Sequence, residues 1–397
     1  MTALPNVRRR RTALMLTANL LAVVALAGLG FTGVRALQRY QGATKVSVES
    51  IKLPVTPVGM LATVDDDDHL TSIAVFVLTA GSQLGGSIVS VPVSSDSTAG
   101  GGDERIPLTE VYADGGAEEL VLAVESVLSI TIDVNTVATA DEAAALLTPV
   151  SPFKATLPTD VLATDSGDEV TRFEAGTVSL SAAQAVGVLE ATVADQRDAD
   201  RRGNHEAIWT GVAASVGTGR TAPDTNAPVT TLDLLLDRLF AATVESRGLP
   251  TVEIAAADNP DGKDVDTLVR ADAIFILASV APASMSAPAP GLVFRIEAPP
   301  GYEERVKYAV QVILYLGANV QSVYLGGEVH ATTRYFIDDP RLVEEAESNN
   351  ALFGETETLT PELPIEGIDV ILQLGTDFLT AEGTQMPSTT TTTTEPA

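Results

Sequence analysis

The sequence predicts an α/β protein with an N-terminal transmembrane helix, an α/β domain built on a central mixed sheet, and a smaller C-terminal domain of βαβ-βαβ order. Three observations lead to this prediction. An uncharged run lies between two groups of arginines near the N-terminus, short apolar runs alternate with helical patterns in the middle of the chain, and the same alternation returns after residue 290.

The first forty residues have the pattern of a membrane anchor. Arg8 to Arg11 precede an uncharged stretch from Thr12 to Val34, and two more arginines follow it. At ~1.5 Å per residue, a helix of this length spans a hydrocarbon core of ~30 Å. The arginine block marks the cytoplasmic end. We therefore predict a cytoplasmic segment (1–11), a transmembrane helix (12–34) and a single-pass protein of the cell membrane whose C-terminal ectodomain lies outside.

A cleaved signal peptide is the alternative. Ala25-Leu26-Ala27 has the small-x-small form that signal peptidase accepts after an apolar segment. The apolar run continues past this site through Leu29, Phe31 and Val34, which an anchor requires and a secreted protein does not. The pattern favours the anchor and leaves the signal peptide open.

Beyond the anchor the chain is strongly acidic. Lys and Arg total 24 against 53 Asp and Glu, and six of the basic residues but no acidic ones precede residue 41. The ectodomain therefore has 18 basic and 53 acidic residues, a net charge of −35. Such a surface repels phosphate-rich polymers, so nucleic-acid binding is excluded and an anionic ligand needs a local cationic pocket. The absence of cysteine excludes disulfides and zinc-thiolate sites.

Composition predicts three linking or disordered segments. Residues 35–58 are interpreted as a juxtamembrane spacer, and Ser94 to Gly102, rich in serine and glycine, as a surface loop. The threonine-rich residues 381–397 are interpreted as a disordered tail, because such a composition cannot bury a core.

The first folded segment contains two apolar runs typical of buried strands, Ser72 to Thr79 and Ser87 to Pro92. Apolar residues at helical spacing then predict a helix from Ala117 to Leu128, and a strand follows at Ile130 to Val137. In the second segment the same criteria predict the following elements: strands at Leu292–Glu297, Asn319–Leu325, Thr332–Ile337 and Ile368–Leu379, and helices at Tyr302–Leu316 and Asp339–Phe353.

Several short sequence motifs, by their order and spacing, resemble those of the LytR-CpsA-Psr family of envelope proteins in its actinobacterial form. They are Ser72-Ile73, Ser90-Val91-Pro92, Arg105-Ile106, Tyr112-Ala113-Asp114-Gly115-Gly116, Phe173-Glu174-Ala175-Gly176, Leu180-Ser181-Ala182-Ala183-Gln184-Ala185 and Arg270-Ala271-Asp272. Residues 59–290 resemble the family's main domain. Residues 291–380 resemble the C-terminal domain often appended to it, down to the closing Leu374-Gly375-Thr376-Asp377.

The resemblance implies a reaction. Enzymes of this family are implicated in transferring lipid-linked glycopolymers onto peptidoglycan, with arginines holding a polyprenyl pyrophosphate and carboxylates holding magnesium. Phosphoryl transfer depends mainly on cations placed around the developing charge. The question for this chain is therefore whether it keeps those groups.

Most of the implied positions are replaced. Thr71 lies where the family has a metal-binding aspartate, and Val93 and Ser94 replace an Arg-Asp pair. Glu190 and Thr192 replace two arginines on a strand. The family's Arg-x-x-Arg-Gln corresponds to Arg201-Arg202-Gly203-Asn204-His205, in which only Arg201 matches and Asn204 replaces the second arginine.

The sequence thus indicates a degenerate, non-catalytic relative with no assigned cofactor, metal or catalytic residue, and with Arg105 and Arg201 as the remaining candidates. Its expected partners are the cytoplasmic membrane and a polyprenyl-linked glycan, peptidoglycan or another envelope protein. The alternative is an active magnesium-dependent phosphotransferase in which Asp96 and Asp198 act with these two arginines.

Other charged groups have simpler interpretations. Asp198, Asp200, Arg201 and Arg202 are predicted to lie in a solvated loop before a helix that ends near Ser215. Asp65 to Asp68 with His69 are interpreted as a solvated turn, with a divalent-cation site as the alternative. Trp209 lies at helical spacing among apolar residues and is predicted to be core.

Overall fold

The computed structural model describes residues 50–98, 104–217, 223–348, 350–354 and 356–381. The predicted cytoplasmic segment, the predicted transmembrane helix and the tail after residue 381 lie outside these residues. Among the residues that the structure describes, no helix has both the length and the apolar character needed to cross a bilayer.

The N-terminal sheet is mixed, as predicted. Its strands are β1 (Val58–Val64), β2 (Leu70–Leu78), β3 (Gly86–Val91), β4 (Val134–Ala138) and β9 (Val244–Gly248), in the order β4-β1-β2-β3-β9. The three central strands are antiparallel, and β4 and β9 add parallel strands at the edges. The strands expected at Ser72 and Ser87 are therefore confirmed, whereas β1, in the middle of the sheet, was not predicted.

Helices cover both faces of this sheet. They are α1 (Leu108–Leu128), α2 (Ala140–Leu147), α3 (Ala182–Glu190), α4 (Asp198–Ala214), α5 (Leu232–Leu239) and α6 (Arg270–Val280). Helix α1 is broken at Gly116, which has a φ of +67°, so the helix predicted from Ala117 forms its second half. Three two-stranded ladders complete this part: β5 (Phe153–Leu157) with β8 (Gly176–Leu180), β6 (Val161–Asp165) with β7 (Asp168–Phe173), and β10 (Thr251–Glu253) with β11 (Asp266–Leu268).

The central strands are buried on both faces, which explains their nearly continuous apolar sequence. On one face, Met60 and Val75 enter a core shared with α1 and α6. On the other, Leu61 and Phe76 enter a core shared with α3, α4 and α5, where the Phe76 ring meets the Trp209 ring edge to face at 5.7 Å. The prediction that Trp209 is core is confirmed.

The C-terminal sheet has the order β13-β12-β16-β14-β15. Its elements are β12 (Val293–Ala298), α7 (Glu303–Tyr315), β13 (Asn319–Leu325), β14 (Arg334–Ile337), α8 (Val343–Glu347), α9 (Asn350–Phe353), β15 (Glu357–Leu359), β16 (Val370–Gln373) and α10 (Thr376–Leu379). β12 and β13 pair in parallel, as do β14 and β15, and β16 lies between these two units. The first predicted βαβ unit is confirmed. The second is completed by β15, which was not predicted, and the strand predicted to close it is a fifth strand, β16, that pairs antiparallel with β14.

Two boundaries in this part were wrong. The helix expected at Asp339–Phe353 consists of a 3₁₀ turn and the short helices α8 and α9. The strand expected at Ile368–Leu379 ends at Gln373, because Gly375 begins α10 and the Asp377 carboxylate accepts hydrogen bonds from Thr333. The domain boundary at residue 290 stays a prediction, since one hydrophobic core continues from α6 into the C-terminal sheet.

Two segments that were expected to be solvated pack against the fold. Ser94, Ser95 and Asp96 are buried, because this stretch forms bridges to Asp266 and Pro107; the surface-loop prediction is therefore wrong for these residues. The end of the predicted spacer is also attached, since Ile51 bridges Ile365. The acidic segment before His69 forms an exposed turn between β1 and β2, as predicted.

The packing of α4 on β5 gives a test with two helical glycines. A Cβ at Gly211 would lie 2.5 Å from the Lys154 carbonyl oxygen and 2.9 Å from the Phe153 ring, whereas a Cβ at Gly187 would meet only the flexible end of Arg172, at 3.2 Å. We expect Gly211→Ala to lower the free energy of unfolding by about 1–3 kcal/mol. Gly187→Ala should change it by less than about 1 kcal/mol, because helix propensity favours alanine. Urea denaturation measures both, and equal effects would contradict this packing.

Candidate functional site

A buried ion cluster lies where α4 begins. The Nη2 atom of Arg202 lies 3.1 Å from Asp198 Oδ2, 2.9 Å from Asp266 Oδ2 and 3.3 Å from Ser94 Oγ. The Ser94 hydroxyl is in turn 3.0 Å from Asp198 Oδ2. Both aspartate side chains are 4% exposed. This guanidinium therefore joins the end of β3, the start of α4 and β11 in one network.

A second arginine extends the cluster toward solvent. Arg197 donates to Asp264 at 3.2 Å and to Glu253 at 2.6 Å, and its Nη2 lies 3.6 Å from Asp266 Oδ1. Asp264 also accepts a hydrogen bond from the backbone N–H of Asp198 at 2.7 Å. Hydrogen bonds to Glu253 and Asp264 raise the pKa of Arg197, so this side chain stays cationic and paired.

Arg201 also lies beside Asp198, but its hydrogen bonds are to backbone carbonyls. Its guanidinium donates to the backbone carbonyls of Ala191 at 3.3 Å and Thr71 at 3.5 Å, and its Nη2 lies 3.9 Å from Asp198 Oδ1. Its side chain is 11% exposed. Burial lowers the pKa of Arg201, while the neighbouring Asp198 opposes this effect. Arg202 behaves differently: burial alone would lower its pKa, but hydrogen bonds to Asp266 and Asp198 raise it.

Two further titratable groups lie near the cluster, Glu190 at the end of α3 and His205 on α4. Burial, assisted by the charge of Asp66, raises the pKa of Glu190 to about 7, and its Oε1 has no hydrogen-bond partner among the described residues. Burial, assisted by Arg201 and Arg202, lowers the pKa of His205 to about 3. At neutral pH His205 is therefore uncharged and Glu190 is partly protonated.

The structure brings some of the predicted site residues together and separates others. Thr71, Ser94 and Arg201 meet around α4, and Glu190 and Thr192 flank the residue whose carbonyl Arg201 contacts. Val93 is buried, with 2% of its surface exposed. The other two predicted site residues have partners elsewhere: Asn204 donates a hydrogen bond to Thr159, and Arg105 donates one to Asp96.

Two sequence-based expectations at this site were wrong. Asp198, Arg201 and Arg202 do not lie in a solvated loop, because they form the first turns of α4 and are largely buried; Asp200 is exposed. Glu190 and Thr192 do not lie on a strand. Ser181 and Gln184 form a capping box that starts α3, and this helix runs to Glu190.

Sequence reasoning missed the acidic partners Asp264 and Asp266 and the arginine Arg197. A signal was present: Asp264 and Asp266 are two residues apart, the spacing at which side chains of an extended chain share a face. Their pairing with α4 spans more than sixty residues of sequence, and no local pattern predicts it.

Magnesium does not fit the residues of this cluster. Thr71 replaces the carboxylate that the resemblance implies, and the Thr71 hydroxyl instead hydrogen-bonds Thr63 in a buried set of hydroxyls. The nearby oxygens of Asp198 and Asp266 already lie within hydrogen-bond distance of Arg202 and Ser94. Nowhere in the described ranges do three or more carboxylate or imidazole groups form an arrangement that could hold a metal ion.

The core beside the cluster is closely packed. A tunnel for an apolar chain between the sheet and α3, α4 and α5 would leave its lining accessible to a water-sized sphere. Phe76, Ile88 and Leu235 are 0% exposed, and Leu61 and Trp209 are 1% exposed. The space between these elements is therefore filled by the side chains themselves.

No protein-family model matches this sequence, and no curated protein matches it significantly. Solved structures give partial similarities. B. subtilis TagV is 15% identical, over 55% of this chain and 93% of that chain, with a TM-score of 0.40. TagT bound to LIIa-WTA is 16% identical, over 56% and 88%, with a TM-score of 0.39.

A further similar structure is the LytR-CPS2A-psr family protein YwtF (TagT) with bound octaprenyl pyrophosphate lipid. It is 16% identical, over 55% of this chain and 86% of that chain, with a TM-score of 0.35. At these scores the similarities establish neither a shared site nor a shared activity, so the function of this chain has to be inferred from its own residues.

The buried cluster predicts a large effect of removing Arg202. Arg202→Met leaves the carboxylates of Asp198 and Asp266 buried without their closest cation, which should lower the free energy of unfolding by about 3–5 kcal/mol. Adding Asp266→Asn should restore part of this loss, because one of the uncompensated charges is removed. Arg341→Met, which breaks an exposed pair with Asp339, is the control and should change little. Chemical denaturation of the four proteins measures the coupling, and equal losses for Arg202→Met and Arg341→Met would refute it.

Glu190 predicts a pH dependence of stability. Its folded-state pKa of about 7 lies above the ordinary value of 4.5, so the folded protein binds a proton that the unfolded chain releases. Its contribution to stability is full below pH 4.5 and is lost as the pH rises to about 7. The melting temperature of the natural protein relative to Glu190→Gln should therefore fall between pH 5 and pH 8. Glu174→Gln, an exposed site, is the matched control, and a constant difference for Glu190→Gln would exclude the raised pKa.

Proposed function

We propose that this chain is a membrane-anchored, extracytoplasmic protein of the cell envelope that resembles the LytR-CpsA-Psr family, binds a wall glycopolymer and does not catalyse its transfer. The anchor and the orientation rest on the arginine-flanked uncharged run from Thr12 to Val34. The envelope role rests on the ordered sequence motifs that residues 59–290 and 291–380 share with that family.

The observation that supports the loss of catalysis is the internal neutralisation of the candidate site. Three arginines at the start of α4 face three aspartates, which are the partners that a pyrophosphate would have to displace. A ligand that displaced Asp198 or Asp266 would leave a buried carboxylate beside its own negative charge. Such an arrangement costs several kcal/mol per unpaired ion, so the cluster supports the fold and opposes an anionic substrate.

The residues around this cluster also oppose the binding of an anionic substrate. Glu190, which the resemblance aligns with an arginine, brings an acidic group, and burial neutralises it only in part at neutral pH. Val93 and Thr192 bring no charge at all. Phosphoryl transfer needs cations on the transferred group, and the arginines that the structure describes here, Arg197, Arg201 and Arg202, each already bind groups of the chain.

Among the partners that the sequence suggested, the packed core favours a glycopolymer or an envelope protein over a polyprenyl carrier. A long isoprenoid chain needs an apolar tunnel, and the side chains that would line it are 0–1% exposed. Opening the tunnel would require moving Phe76 and Trp209 apart, which loses their contact and leaves a cavity. A glycan can bind at the surface without any such rearrangement.

The alternative of an active phosphotransferase requires that Asp96, Asp198, Arg105 and Arg201 be available to a substrate. Arg105 lies 3.1 Å from Asp96, whose side chain is 1% exposed. Asp198 and Arg201 belong to the cluster described above. Each of these groups is therefore already engaged within the chain.

The test uses the full chain purified in detergent. Incubated with a polyprenyl-pyrophosphate-linked oligosaccharide and magnesium, it should release no polyprenyl phosphate above the level of buffer alone. In co-sedimentation with isolated cell walls it should be retained by walls that carry their glycopolymer, and retention should fall at least about tenfold on walls stripped of it.

Two outcomes would overturn the proposal. Magnesium-dependent release of polyprenyl phosphate that Arg201→Gln abolishes would establish the phosphotransferase instead. Equal retention on intact and stripped walls would exclude the glycopolymer as the ligand.

A further inference from the structure

Two cavities adjoin at the start of α6, a few residues after Asp266 of the ion cluster. One, of 530 Å³, lies between α6 and α7, and the other, of 380 Å³, lies against the end of α1 and the segment that leads into β12. The side chain of Arg270 lines both. The larger cavity falls within the size range of ligand sites in proteins, roughly 300–1,000 Å³.

Arg270 is electrostatically unusual in this acidic chain. Within the described residues, every lysine and arginine except Lys154 and Arg270 makes an ion pair or a hydrogen bond with the chain, and Arg270 is exposed. The other cation in the larger cavity, Lys307, lies between two carboxylates, 3.2 Å from Asp272 and 3.0 Å from Glu304. With Arg270, this cavity therefore has two cations and two carboxylates. Asp96, in the smaller cavity, is paired with Arg105. Among the described residues that line these two cavities, Arg270 is thus the one cation without an ion pair or a hydrogen bond, and its guanidinium matches a carboxylate or phosphate group.

The α7 wall of the larger cavity adds aromatic and amide groups. Val306, Val310 and Ile313 bury one face of this helix, which leaves Tyr308, Gln311 and Tyr315 on the cavity side. The Tyr308 ring is held by stacking on Phe378 at 6.1 Å, and Tyr315 is 69% exposed. The two tyrosines are seven residues apart, about 10 Å along the helix axis. Rings at this separation beside planar hydrogen-bonding groups suit a chain of sugars better than a single small anion.

We propose that the surface around Arg270 binds a saccharide that carries a carboxylate or phosphate group. Arg270 binds the anionic group, and Tyr308 and Tyr315 contact the apolar faces of neighbouring sugar rings. This inference rests on the proposed binding of a wall glycopolymer and assigns it to a site. For a chain with a net ectodomain charge of −35, an anionic polymer is attracted locally by Arg270, which has no partner within the described residues, and affinity depends on the sugar contacts.

The test is isothermal titration calorimetry on the full chain in detergent with four probes: trigalacturonate, maltotriose 6-phosphate, neutral maltotriose and inorganic phosphate. One or both of the anionic saccharides should bind, and the one that does identifies carboxylate or phosphate as the group recognised. Neutral maltotriose and inorganic phosphate should each bind at least about tenfold more weakly, because each lacks half of the contacts. Arg270→Gln should weaken the binding of the anionic saccharide about tenfold. Tyr315→Ala should also weaken the binding of this saccharide, and it should leave the binding of inorganic phosphate unchanged.

Lys154→Gln is the matched control. It removes the other cation that lacks a partner in the described part of the chain, which lines a 540 Å³ cavity among Thr156, Ala207 and Thr210, and it should leave binding unchanged. If Lys154→Gln and Arg270→Gln weaken binding equally, the effect is one of net charge, and the assignment of the site to Arg270 is overturned. Binding of none of the probes, or wall retention that Arg270→Gln does not alter, would overturn this inference while the glycopolymer proposal stands. A chain that is not retained by glycopolymer-bearing walls would overturn that proposal itself.

Discussion

The constraint on which the rest of this structure depends is the pairing of Arg202 with Asp198 and Asp266. A buried charge is tolerated only next to an opposite charge with its hydrogen bonds made. Because these carboxylates are 4% exposed, the positions of α4, β11 and the segment after β3 are fixed relative to one another. The same pairing removes the guanidinium from contact with any ligand. One interaction therefore fixes the geometry of the candidate site and engages its Arg202 guanidinium within the chain.

The packing around this cluster follows from the sheet. Strands β1, β2 and β3 bury alternate side chains in two cores. Helix α4 packs on the sheet through the contact between Trp209 and Phe76, and the ion cluster fixes its N-terminus. Gly211 allows the helix to approach β5 closely. A helix fixed at both ends in this way has little freedom to admit a ligand between itself and the sheet.

The sequence allowed the prediction of elements whose information is local. The apolar runs of β2 and β3, the helix after Gly116 and the first βαβ unit of the C-terminal sheet were all found from periodicity. β1 was missed because its apolar run follows directly on a segment interpreted as spacer. At the site, Ser94 and Arg201 were named, but the burial of Asp198 and its neighbours was not, because it depends on Asp264 and Asp266, which are distant in sequence. Local patterns describe elements, whereas ion pairs between distant elements depend on the assembled fold.

The electrostatic state of the site also bears on the proposed absence of catalysis. A site that binds pyrophosphate must keep several cations together without anions, and this arrangement is destabilising until the ligand arrives; such strain is tolerated where function requires it. Around α4 the arginines instead lie beside carboxylates, His205 is neutral and Glu190 is partly protonated. The Nε atoms of Arg201 and Arg202 are nevertheless buried without a hydrogen-bond partner among the described residues. The charges at this position are therefore largely balanced within the chain, which is the electrostatic basis of the proposal that the cluster does not bind a pyrophosphate.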